Sequence, residues 1–194
     1  MNVRIEKTFD FLASSYLDGT VFNNRFSIQC KMITNTMDHA DQNIALDRMR
    51  HMLYNEFSNV LFVSDEKIST ANKFNALGQK TCVIPGPPVD QLLGIMLFAK
   101  LNAVMQERLY ITELRISSEL GDGLVYCQSS EEDLGPFEFT GWWHNSDTNI
   151  NPAQTNNKKG NVVELGSKLD PWQQLGLEWT KDLNSDGVIE FTDE

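Results

Sequence analysis

The residues DLNSDGVIEFTD, 182–193, carry side-chain oxygens at the spacing of a calcium loop. Asp182, Asn184 and Asp186 occupy the first, third and fifth positions, Gly187 sits where a sharp turn is needed, and Asp193 closes the set. Hard oxygen donors at alternate positions of a turn converge on one divalent cation. The closing residue is Asp where the longer Glu is usual, so an acidic, turn-rich tail is the competing reading. Calcium is the only cofactor this sequence suggests. The histidines His39, His51 and His144 are scattered, and Cys30, Cys82 and Cys127 form no CxxC pair. No zinc site and no disulfide framework is expected from that spacing; buried, reduced thiols in a cytoplasmic setting are. His144 stands beside Trp142, Trp143 and Asp147 and reads as a surface polar group. No Ser-His-Asp set or Gly-rich phosphate loop can be assembled, so no catalytic residue is assigned.

A second constellation is QLGLEW, 174–179. Gln174, Leu175, Leu177 and Trp179 have the spacing of the Gln-Leu-x-Leu-x-hydrophobe peptide with which bacterial replication proteins dock on the sliding clamp. Such a peptide suits a protein groove. The same spacing also suits a segment that packs on its own domain through Trp172, Leu175 and Trp179.

The elements that must position these groups are legible as changes of period. Residues 3–11 and 26–32 alternate apolar and polar around the turn LDGT, which predicts an antiparallel hairpin with one buried face. After Asp38 or Asp41 the apolar residues recur at helical spacing from Ile44 to Phe57. NVLFVS (59–64) and KTCVIP (80–85) are short apolar runs, and Pro87 or Pro88 can open a wide-faced helix from Val89 to Met105. RLYITELRIS (108–117) and LVYCQ (124–128) are strands around the turn ELGDG. The order ββαββαββ is α+β, an antiparallel sheet with two helices on one face. We assign residues 1–128 to this domain, 129–168 to a polar extension or linker, and 169–194 to an acidic C-terminal segment.

Asp and Glu outnumber Lys and Arg by 27 to 16, for a net charge of −11. That disfavours direct nucleic-acid binding, which needs clustered cations. The longest apolar stretch, 89–105, is broken by Asp90, Gln91, Lys100 and Asn102, so no membrane association is expected.

Residues 9–126 resemble the 6-pyruvoyl- and 6-carboxy-tetrahydropterin synthases, which have the T-fold. NALGQKTCVIPGPPVDQLLGIMLFAKL (75–101) is similar to that family's strand, central turn and second helix, and FDFLASSYL (9–17) to its first strand. FNNRFSIQC (22–30) falls where its second strand opens, and TELRISSELGDGLVY (112–126) resembles its last hairpin. The resemblance implies a zinc-dependent pterin enzyme, but the implied positions are substituted. Ser15, Phe22 and Asn24 stand where three zinc-binding histidines would fall, and Asp18 or Gly19 where a cysteine base would. Ser58 and Asn59 replace an Asp-His pair. Val89, Asp90 and Gln91 replace Thr-Ala-Glu, and Ser118 replaces the pterin-anchoring glutamate, with Glu119 next to it. The expectation is a T-fold protein without the family chemistry. It would bind itself as a homo-oligomer and an unidentified protein through its C-terminal extension. A ligand pocket would be kept at Asp90, Gln91, Ser118 and Glu119. The alternatives are a divergent pterin- or purine-type enzyme without zinc, and an assembly component that works through its tail.

Overall fold

Alternation of apolar and polar residues builds the two longest strands. In the computed structural model, which describes residues 4–150 and 170–180, β1 (Arg4–Leu17) and β2 (Thr20–Thr34) pair antiparallel along their whole length. Asp18 and Gly19, both at positive φ (48° and 82°), make the tight turn between them. Phe9, Phe11 and Ala13 of β1 and Phe26, Ile28, Cys30 and Met32 of β2 share the buried face. Removing each large side chain from water contributes roughly 1.5–3 kcal/mol. Burial also raises the Cys30 thiol to about 12, so it stays protonated. Cys82 is buried too, whereas Cys127 is exposed, against the expectation of three buried thiols.

β5 (Leu109–Ser118) continues the antiparallel sheet on β2, and β6 (Tyr126–Ser129) continues it on β5. Helices α1 (His39–His51) and α3 (Asp90–Met105) lie on the buried face. Asp38 caps α1 by accepting the Ala40 N–H at 2.8 Å. α3 packs tightly on β5: a Cβ on Gly94 would sit 2.7 Å from Ile116 Cγ2, so only glycine permits that approach. The α+β arrangement expected from the sequence, with two helices on one sheet face, is present.

Two features differ from the sequence reading. The short strands β3 (Leu61–Ser64) and β4 (Thr81–Ile84) join the other edge in parallel, giving the order β4-β3-β1-β2-β5-β6. Parallel neighbours need a crossover, and here it carries a further helix, α2 (Ile68–Ala76). α2 lies on the opposite face, where Ala71 and Phe74 pack with Leu61, Val63, Val83 and Tyr16. Elsewhere that face is solvated and held by pairs such as Lys31–Glu113 (3.0 Å) and Arg25–Asp10 (3.3 Å). Among the described residues no helix is long and apolar enough to cross a membrane.

Residues 135–150 fold back over α3 as short turns, burying Phe137, Trp142 and Ile150. Residues 135–150, part of the stretch 129–168 read from sequence as a polar extension or linker, therefore belong to the domain's packing. Phe139, between Phe137 and Trp142, is exposed. His144 contacts the Phe137 carbonyl at 2.7 Å.

Candidate functional site

Asp90 is the first residue of α3, behind Pro87, Pro88 and Val89, where a carboxylate is favoured by the helix dipole. Its Oδ2 accepts a hydrogen bond from Ser118 Oγ at 2.7 Å, tying the helix start to the end of β5. The chain after Ser118 passes so close that a Cβ on Gly121 would lie 2.8 Å from that same oxygen. Across from this pair, β1 and β2 contribute Ser15 and Asn24, both buried. Asn24 Oδ1 accepts the Leu120 N–H at 3.2 Å and so fixes the carboxamide. Together these residues line an open cleft of about 360 Å³, with Val89, Leu120 and Leu124 around its mouth.

Of the four residues expected in one pocket, the structure brings together Asp90 and Ser118. Gln91 turns into a smaller groove of about 140 Å³ beside Gly94, Cys127 and Glu132. Glu119 lines a third depression with Asn23, Arg25 and Asn59. Ser15 and Asn24, found only through the resemblance, share the cleft with Asp90, while Phe22 is partly exposed. With Asp122 and Tyr126, which also line it, the cleft offers two carboxylates, three hydroxyls and a carboxamide. These can hydrogen-bond a polar ligand. Among the described residues no group of three or more His, Cys, Asp or Glu side chains could hold a metal ion. The calcium-loop residues Asp182, Asn184, Asp186 and Asp193 lie outside the described residues.

A second polar centre lies at the other end of α3. Residues 170–180 dock there, with a helical turn at Pro171–Gln174 capped by Asp170 and with Trp172 fully buried. The Arg48 guanidinium lies 4.7 Å from the Trp172 ring and 3.8 Å from the Trp179 ring, and Nε donates to the Leu177 carbonyl at 2.9 Å. Arg48 is only 2% exposed, and burial lowers it to about 10 against the pull of Asp170, Asp41 and Glu178. Arg108 sits 4.5 Å from the Trp179 ring, and its Nε is 3.7 Å from Asp41 Oδ2. Asp41 Oδ1 accepts the Thr180 N–H at 2.9 Å and hydroxyl at 2.8 Å. Trp179 Nε1 donates to Gln106 Oε1. Leu177 and Trp179 therefore pack on their own domain, while Gln174 and Leu175 are exposed.

Lys100 is a third buried cation, 0% exposed in the middle of α3. Its Nζ donates to the carbonyls of Trp142 (3.2 Å), Asn145 (2.7 Å) and Asp147 (2.8 Å), which pins the extension to the core. Burial lowers its pKa to about 8 despite the nearby Asp147. Sequence reasoning saw Lys100 only as an interruption of an apolar helix and did not single out Arg48 or Arg108.

No family model and no curated protein matches this chain. Among solved structures it is similar to an uncharacterized protein from Wolinella succinogenes, at 10% identity and TM-score 0.48, over 67% of this chain and 99% of that one. It is also similar to two catalytic-residue mutants of Plasmodium vivax 6-pyruvoyltetrahydropterin synthase. These are 6% and 8% identical, each with TM-score 0.43 over 66% of this chain and 97% of theirs. The two synthases are of the family that the sequence resembles.

Proposed function

We propose that this is a non-catalytic T-fold protein that works by binding, as a homo-oligomer that engages a further protein in the cytoplasm. The observation that carries this reading is the apolar rim of the Asp90 cleft. Leu120, Leu124 and Val125 are 57%, 59% and 56% exposed, and Val89 stands exposed beside them. Apolar side chains grouped on a surface mark a contact with another molecule. The Asp90 carboxylate and the Ser15, Ser118 and Asn24 polar groups would then hydrogen-bond the contact at its centre. Substitution tests it: Leu124→Glu with Val125→Glu should lower the assembly mass in sedimentation while leaving the thermal transition of the domain in place. An unchanged mass would remove the rim from the interface.

The Asp90–Ser118 pair favours one other reading, a divergent pterin- or purine-type enzyme that works without zinc. A ligand that binds only the folded state raises apparent stability. A pterin or guanine compound that raises the melting temperature of the unaltered protein, but not of Asp90→Asn, would support this second reading. No shift with either compound class would end it. Calcium in the tail 182–193 stays a proposal of the sequence alone.

A further inference from the structure

The segment 170–180 is held in an unusual way for part of a domain. Only Trp172 is fully buried, Leu177 and Trp179 are half-buried, and most other residues of the segment are exposed. What holds them is a polar socket, with Arg48 between two tryptophan rings, Arg108 against the second ring, and Asp41 and Gln106 as acceptors. Arg48, Arg108 and Asp41 are all buried, so the recess carries two cations and one anion. The segment supplies the missing negative charge through Asp170 and Glu178, both of which act on Arg48. Charge, aromatic faces and hydrogen bonds therefore match between recess and segment.

We propose that the Arg48–Arg108–Asp41 recess is a binding site for acidic, tryptophan-bearing peptide, and that residues 170–180 occupy it as a reversible latch. A segment with one deep anchor opens locally at lower cost than the sheet unfolds. The latch hides Leu177 and Trp179, the apolar end of the Gln-Leu-x-Leu-x-Trp peptide, and leaves Gln174 and Leu175 outside. The recess and any partner groove that reads Leu177 and Trp179 exclude one another. The tail is presented only when the latch is open, and this goes beyond the binding role assigned to the cleft.

Two measurements on the full chain test the latch. In native hydrogen exchange, the Leu177 and Thr180 amides should exchange at least a hundredfold faster than the β2 amides from Phe26 to Met32. Equal protection would make the segment a fixed part of the domain and overturn the proposal. In the second, a labelled peptide of residues 168–182 is added to full-length protein carrying Trp172→Ala and Trp179→Ala, which empties the recess. The peptide should bind this variant at least tenfold more tightly than it binds the unaltered chain, whose own segment competes. Adding Arg48→Leu should abolish the binding. No binding to the emptied recess, or equal binding with and without Arg48, would overturn the proposal. The exchange experiment decides the matter if the double variant fails to fold.

Discussion

The two ends of α3 handle polar recesses in opposite ways. At its start, Asp90, Ser118, Ser15 and Asn24 look into an open cleft with an apolar rim. At its end, Arg48, Arg108 and Asp41 are sealed under the chain's own residues 170–180. A buried charge costs several kcal/mol unless it is paired, so a cover over Arg48 and Arg108 must bring partners with it, and this one brings the Leu177 carbonyl and two tryptophan faces. The hydroxyls, the carboxamide and the Asp90 and Asp122 carboxylates of the cleft lie in an open recess where water can solvate them. One recess is closed by a segment that carries matching groups, and the other is left open to solvent.

Three substitutions would break or sharpen this contrast, in decreasing order of effect. Lys100→Met should be the largest. It leaves three carbonyls of the 142–147 turn without their donor and should cost about 3 kcal/mol in urea unfolding. The same residue gives a pH signature. Its folded-state pKa is about 8 against an ordinary 10.5, so between those values the unfolded chain holds more protons than the folded one. Stability from this site therefore rises with pH across that window. The unaltered protein should gain on Lys100→Met between pH 8 and 10. A difference that stays flat would mean that Lys100 is not shifted.

Arg48→Ala should come next, at about 2 kcal/mol, because it removes a desolvated cation from two aromatic faces. The loss should fall on the tail: tryptophan emission should shift to the red while the sheet's far-ultraviolet signal stays. A loss of the whole fold would instead make the tail an integral element. Asp90→Asn should be the mildest, costing about 0.5 kcal/mol from the helix dipole, since the amide oxygen still accepts from Ser118. A large loss in thermal unfolding would show Asp90 to be structural and would weaken its role in the cleft.

What was legible in the sequence follows from range. β1, β2 and β5 alternate because one face is covered, and Asp38 caps its helix within two residues. α2 escaped notice because only Ala71 of its residues is fully buried, which leaves almost no apolar stripe. The parallel pairing of β3 with β1 and β4 leaves no local trace. In the site, Asp90 and Ser118 meet, but their chain neighbours Gln91 and Glu119 do not join them. Consecutive residues point about 100° apart on a helix and to opposite sides at a strand end. Lys100 and Arg48 hid their roles because their acceptors lie 42 to 47 and 129 residues away in the chain.

On the proposed reading the protein binds as an assembly without the zinc chemistry of the synthases that its sequence resembles. Native mass spectrometry of the full chain, with metal content read from the same sample, tests it most directly. The expected result is a defined oligomer with no stoichiometric zinc. A zinc ion per chain would contradict it, because Ser15, Phe22 and Asn24 would then not be the residues at the metal position, and a monomer would contradict the assembly.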